Sequence, residues 1–207
     1  DRHAASGAGA RASGQAARRG SNRREERRRE AELRNQRNRK VKPLEQELRL
    51  NKYKIYAARE FARVNGINRV VLDSPNPRFG IITSGKAYLD VMQALEDMGI
   101  DEAVAAEIGL RVYKVGMPWP LEPRTTHDFA DGLEEILVVE EKRSIIEDQL
   151  TGQLYNYAVG SRPRVVGEFD EHGNHLVSNL SELTPGQVAR AIGSRVLKFN
   201  DSPQIRE

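Results

Sequence analysis

The chain has 207 residues, with 33 Lys and Arg against 30 Asp and Glu, no cysteine, and 38% hydrophobic residues. Without cysteine there is no disulfide framework, thiolate metal site, cysteine nucleophile or cysteine-ligated iron–sulfur cluster. The formal net charge of +3 averages two unlike pieces, since residues 1–40 carry +8 and residues 41–207 carry −5.

Residues 1–20 are mostly Ala, Gly, Ser and Arg without apolar periodicity, and such side chains bury too little to offset the entropy of ordering a backbone. This predicts a disordered arm. Residues 21–40 are denser in charge, Leu33 is their only large apolar residue, and Glu–Arg pairs around Glu26, Glu30 and Arg34 support at most a transient helix. An Arg-rich arm is able to neutralise phosphates. No aromatic is interleaved to stack on bases, which favours a solvated tail over a nucleic-acid interface. The N-terminus lacks the apolar core of a secretory signal, and no apolar run approaches the roughly 18 residues of a membrane span. A cytoplasmic protein without membrane contact is expected.

From Pro43 the pattern turns helical. Leu44, Leu48, Tyr53, Ile55, Ala58, Phe61, Ala62 and Val64 recur near helical spacing and Asn65-Gly66 supplies a stop, predicting a helix over 43–64 with a break near Asn51. Val70–Leu72 reads as a strand ended by Asp73-Ser74-Pro75-Asn76-Pro77. Strand 79–83 follows, then a helix capped by Ser84 and stopped at Gly99, a short helix over 100–108, and strand 110–115. After the Pro-rich loop 116–123, Thr125 or Thr126 opens a helix that runs through Leu133. Strand 136–139 comes next, and Ser144-x-x-Glu147 predicts a capping box for a helix to about Leu154. Residues 164–169 read as a strand, and Thr184-Pro185-x-Gln187 as a second capping box for a helix to Leu197.

Alternating strands and helices, with strands apolar on both faces, predict an α/β fold with a mostly parallel sheet covered by helices on both faces. The expected division is an arm over 1–40, an amphipathic lead-in over 41–66, an α/β domain over 67–200 and a tail over 201–207.

Residues 80–87 approach the phosphate loop G-x4-G-K-[ST] and fail it, because Ala87 stands where magnesium needs a hydroxyl and Ile81-Ile82 belong to a strand. His172-Gly173-Asn174-His175 reads as a hairpin turn rather than a metal site, and no His has a partnered nucleophile. Ligands of open parallel sheets meet the carboxyl ends of strands. Ser84, Gly85, Lys86, Met117, Trp119, Glu140, Glu141 and Lys142 would share that rim, so they form the candidate functional edge. Trp119 between two prolines presents aromatic area at low entropic cost, either to a partner or to its own sheet.

The segments Pro43–Glu47, Tyr56–Ala58, Ala62–Asn65, Val71–Pro75 and Gly80–Val91 together resemble the indolepyruvate ferredoxin oxidoreductases. Arg111–Glu122, Leu137–Arg143, Arg162–Gly167 and Glu182–Pro185 continue the resemblance in family order. The resemblance implies one domain, a three-layer α/β/α sandwich with a mostly parallel sheet similar to the transketolase C-terminal domain, that packs between thiamine-binding domains of a larger enzyme. The family enzyme oxidatively decarboxylates arylpyruvates to acyl-CoA, using thiamine diphosphate, magnesium and iron–sulfur clusters, and reduces ferredoxin. No G-D-G with a downstream Asn and no cysteine is present, so no catalytic, cofactor or metal residue is carried over, and the chain alone is expected to be inactive. The arm over 1–40 departs from the family pattern and suggests a truncated, fused or misframed gene. The remaining domains of the oxidoreductase are the expected partners. A nucleic-acid-binding protein using the arm is the alternative, and an assembly module docking through 117–123 a third reading.

Overall fold

The computed structural model describes residues 25–36, 43–180 and 182–199. Most of the arm, including the stretch read as disordered (1–20), and the tail over 201–207 lie outside the described residues. The chain forms two compact units, 1–54 and 55–207.

The first unit contains helix α1, residues 25–36, and helix α2, Pro43–Arg49, followed by a π-helical turn at Leu50–Lys54. The break expected near Asn51 takes this π form, an i→i+5 widening of the helix. In α1, Arg28 Nε lies 3.4 Å from Glu32 Oε1, and both side chains are exposed. Such an i,i+4 pair contributes only about 0.3–0.5 kcal/mol. Leu44 and Leu48 are 76% and 59% exposed, so helical spacing here does not correspond to burial.

The second unit opens with α3, Ile55–Val64, and edge strand β1, Arg69–Leu72. Strand β2, Phe79–Ser84, leads into α4, Gly85–Asp97, and α5, Glu102–Ile108. Strand β3, Leu110–Val115, is followed by α6, Pro123–Ala130, and β4, Glu135–Val139. Helix α7, Ile145–Leu154, strand β5, Arg164–Val166, and α8, Pro185–Val196, complete the unit. The sheet order is β1-β3-β2-β4-β5; β2 to β5 pair in parallel, and β1 is antiparallel to β3 with a register shift between Val70 and Leu72.

Alternation along the central strands builds two cores. Phe79, Ile81, Val112, Leu137 and Val139 pack under α4, α5 and α8, which supply Val91, Leu95, Ile108, Val188 and Ile192. Ile82, Tyr113, Val115, Ile136 and Val138 face the other way, onto Phe129 of α6 and Ile146, Leu150 and Leu154 of α7. The expected three-layer α/β/α sandwich is therefore the observed architecture. Gly80 permits the close fit on the second face: a Cβ there would lie 2.5 Å from Leu133 Cδ1 and 2.8 Å from Phe129 Cζ.

Several element ends differ from the sequence expectation. Helix α6 starts at Pro123, because the Glu122 carboxylate accepts from Arg124 N at 2.9 Å and Thr125 N at 2.8 Å. Thr125 spends its hydroxyl on Glu122 and on Tyr113, so neither it nor Thr126 is the cap. Strand β5 stops at Val166, three residues early, because the Glu147 carboxylate takes the Glu168 N–H at 3.2 Å. Beyond it, the Phe169–His175 bridge and the Asp170 carboxylate, which accepts from His172 N and Asn174 N, form the expected hairpin. The Thr184–Gln187 capping box forms as its spacing predicts.

Helix α8 is fixed by a buried ion pair. Arg195 Nε donates to Glu135 Oε1 at 2.5 Å, both side chains are almost fully buried, and Arg195 also reaches Glu171 at 2.8 Å. Lys198 and then Arg195 hold the Glu171 carboxyl well below the usual carboxylate range.

Candidate functional site

Strands β2, β3 and β4 run parallel, so Ser84, Val115 and Val139 end on the same edge of the sheet. Helix α4 leaves β2 toward one core and α7 leaves β4 toward the other, which opens a crevice between adjacent strands. At such switch points open α/β sheets place their ligands. The eight predicted rim residues all lie at or just beyond these strand ends, but the structure divides them into two groups.

The first group closes the crevice with the chain's own atoms. Lys86 Nζ donates to Asp90 Oδ2 at 2.8 Å and to the Leu183 carbonyl at 2.8 Å. It also lies 3.5 Å from Glu141 Oε1 and 3.7 Å from Glu182 Oε1. Glu141 in turn accepts from Leu183 N at 3.3 Å. One lysine thus ties the start of α4, the loop after β4 and the segment before α8 across the crevice. The hydrogen bond to Asp90, ahead of the other carboxylates, raises the Lys86 pKa and keeps the ammonium charged. Ser84 does not cap α4 with its hydroxyl, contrary to expectation. Gly85 at φ +57° takes the chain into the helix through a left-handed residue that costs other side chains more.

Glu140 is turned inward as a helix cap. Its carboxylate accepts from Ile145 N at 3.1 Å, Ile146 N at 2.9 Å and Glu147 N at 3.1 Å, capping α7. The expected Ser144 cap is absent, because Ser144 sits at φ −71°, ψ 62° and makes no side-chain cap bond. The carboxylate four residues earlier has taken the free N–H groups that every helix start leaves. Burial pushes the Glu140 carboxyl up despite these donors. Burial likewise raises Glu147, with Asp148 and Glu168 adding like charge. A cavity of only about 10 Å³ lies among Glu140, Glu147 and Glu168, space for about one water.

The second group is the loop after β3 with the turn after β4. Asn68 Oδ1 accepts from Gly116 N at 2.9 Å and Met117 N at 3.0 Å. Gln149 donates to Pro118 O at 2.8 Å and accepts from Leu121 N at 2.8 Å, and Gln153 donates to Leu121 O. Gly116 allows a close backbone approach: a Cβ there would lie 2.7 Å from the Ile67 carbonyl oxygen. Within this fixed backbone, which includes a cis Trp119–Pro120 bond, Trp119 remains 57% exposed. Lys142, at φ +69°, is the one non-glycine residue with positive φ among the described residues.

The structure therefore joins Lys86 with Glu141, and adds Asp90, Glu182 and Leu183 to them. It turns Glu140 inward, and holds Met117 and Trp119 through Asn68 and Gln149. Sequence reasoning missed Asn68, Gln149 and Glu182 as rim partners. Each acts across 28 to 96 positions of sequence, and no local spacing marks such a pairing. Donor sets for the expected family cofactors do not fit this chain. It has no thiolate for an iron–sulfur cluster, no cluster of His, Asp or Glu suited to a metal exists among the described residues, and Lys86 bridges the crevice to Leu183 O. Among the described residues no helix is long and apolar enough to cross a membrane.

The indolepyruvate ferredoxin oxidoreductase middle domain matches residues 68–206. The indolepyruvate oxidoreductase subunit IorA of Thermococcus kodakarensis is 30% identical over 115 residues, covering 56% of this chain and 16% of that protein. The Pyrococcus abyssi IorA is 29% identical over 115 residues, covering 56% and 15%. The chain spans about a sixth of the length of these curated relatives. Among solved structures, a 2-oxoglutarate:ferredoxin oxidoreductase from Magnetococcus marinus covers 75% of this chain and 24% of its own, with TM-score 0.44 and 16% identity. A split-gene transketolase in an inactive β4 tetramer covers 64% and 41%, with TM-score 0.43 and 14% identity. The family match over 68–206 bears out the resemblance carried by the motifs from Val71 to Pro185, and the chain belongs to the indolepyruvate ferredoxin oxidoreductase middle-domain family.

Proposed function

We propose that this chain is a non-catalytic packing and assembly domain of an indolepyruvate ferredoxin oxidoreductase. In this reading the enzyme oxidatively decarboxylates an arylpyruvate to an acyl-CoA and reduces ferredoxin in a cytoplasmic setting. Thiamine diphosphate, magnesium and iron–sulfur clusters belong to other parts of that enzyme. The Lys86 network carries the proposal: the position where an α/β sheet offers a ligand crevice is bridged by contacts among Lys86, Glu141 and the Leu183 backbone. The rim residues then serve cohesion on one side, through Ser84, Gly85, Lys86 and Glu141, and assembly on the other, through Met117, Trp119 and Lys142.

The test is an assay of the chain alone with indolepyruvate, thiamine diphosphate, magnesium, CoA and an electron acceptor. No turnover is expected, and isothermal titration with thiamine diphosphate should give no heat of binding. Turnover or stoichiometric cofactor binding overturns the proposal.

A further inference from the structure

The open half of the rim carries a surface the closed half lacks. Trp119 is the chain's single tryptophan and is more than half exposed on a loop held at Gly116, Met117, Pro118 and Leu121 by Asn68, Gln149 and Gln153. An aromatic held this way loses little further freedom on binding, which is the property of an interface anchor. The loop does not stand alone. Gln149 Nε2 donates to both Pro118 O at 2.8 Å and Ile145 O at 2.7 Å, so the Trp119 loop and the start of α7 meet on one amide nitrogen. Ile145 is itself 46% exposed. Just before it, Lys142 and Arg143 are exposed and make no ion pair or side-chain hydrogen bond among the described residues. Lys142 also holds a left-handed backbone, which is strained for a residue with a Cβ. Strained backbone of this kind concentrates where it aims a functional side chain.

We propose that Trp119 and Ile145, flanked by Lys142 and Arg143, form a docking surface for an acidic protein surface with an apolar pocket on another part of the same oxidoreductase. This rests on the assembly reading above and gives it a location and a partner chemistry. Trp119 and Ile145 fill the pocket, and Lys142 and Arg143 meet its carboxylates. The cations set encounter rate and orientation more than final affinity. The choice of a protein partner over nucleic acid follows from the pairing of Trp119 with an aliphatic Ile145 rather than with a second stacking ring.

The experiment uses the full chain labelled with 5-fluorotryptophan, which places one ¹⁹F reporter at Trp119. Its partner is Thermococcus kodakarensis IorA lacking the segment this chain matches, with its fold verified by circular dichroism. Binding should shift or broaden the single resonance, and calorimetry on unlabelled chains should show Trp119→Ala weakening Kd by about thirtyfold. Trp119→Phe should recover part of that loss. K142A/R143A should slow association and flatten its salt dependence. Binding that is unchanged in Trp119→Ala and in K142A/R143A overturns this surface but leaves the assembly reading standing. No binding by the unsubstituted chain counts against both. Binding of a 20-base-pair duplex DNA that depends on the same residues, without binding of IorA, overturns the protein partner.

Discussion

The two halves of the strand-end rim are built from the same kind of material and end in opposite states. On the β2–β4 side, Lys86 finds three carboxylates and a carbonyl within its own chain. On the β3–α7 side, Lys142 and Arg143 find none among the described residues, and Trp119 stays exposed. The loop on that side is not loose, since Asn68 and Gln149 satisfy it from both ends. The difference teaches that satisfied backbone and satisfied side chains are separate matters. A domain is able to anchor both ends of a loop and still leave its charged and aromatic tips exposed.

The largest effect tests what seats the closed half. Glu135→Ala strands Arg195, which is 2% exposed, without its main partner under α8. Loss of one member of a buried pair costs about 3–5 kcal/mol. Urea unfolding should show that loss, and because α8 follows directly from the Leu183 segment, Lys86 should lose its closed arrangement as well. A loss below about 1 kcal/mol would mean that Arg195 is served by Glu171 alone.

Gly116→Ala breaks the open half instead. The added methyl meets the Ile67 carbonyl oxygen, a backbone atom that has little room to move. Overpacking of this kind costs about 1–3 kcal/mol. The single tryptophan should report it as a changed fluorescence maximum, while the Lys86 side keeps its arrangement. An unchanged spectrum would separate Trp119 from the backbone that is argued to aim it.

Lys86→Met should do less than its four neighbours suggest. The lysine side chain is 42% exposed, so solvent screens its pairs and weakens what they contribute. Thermal unfolding should therefore shift by only a few degrees, and binding through Trp119 should not change. A coupling between the two would merge the halves into one site.

The smallest effect concerns the buried carboxylates behind the turn. Burial raises the Glu147 pKa above its usual 4.5, with Asp148 and Glu168 contributing. A group with a raised folded pKa favours the fold in its protonated form, so that contribution is present at low pH and is lost as pH rises through the raised value. Glu147→Gln keeps an oxygen for the Glu168 N–H and removes the titration. The stability of this variant relative to the unsubstituted chain should rise between about pH 4 and pH 7 in urea titrations. Glu171 titrates in the opposite sense, since its folded pKa is lowered, but it is common to both proteins and cancels. A flat difference would show that Glu147 is already fully solvated.

Much of this molecule was legible in its sequence wherever local rules act. Phe79–Thr83 and Ile136–Val139 are apolar on consecutive residues because both sheet faces are covered, and they fold as central strands. Thr184 and Gln187 cap each other because three residues is the distance across one helical turn. The failures share a cause. Ser144 and Ser84 carry the right hydroxyl at the right place, yet Glu140 reaches the free N–H groups of α7 first and Ser84 makes no cap bond. The antiparallel direction of β1 is set by pairing with β3, some 40 residues away, and nothing within Arg69–Leu72 encodes it. For the site, the strand-end rule placed all eight residues on one edge. Their division into a closed and an open half depended on Leu183 and Gln149, which only the fold brings near.

The most direct measurement is hydrogen exchange of the full chain, free and bound to the IorA protein lacking its matching segment. The account predicts slowed exchange on binding at Met117, Trp119, Lys142, Arg143 and Ile145, with Gly85, Lys86 and Leu183 unchanged from their free-state rates. Slowed exchange at Gly85, Lys86 and Leu183, with none at Trp119 and Lys142, would contradict it.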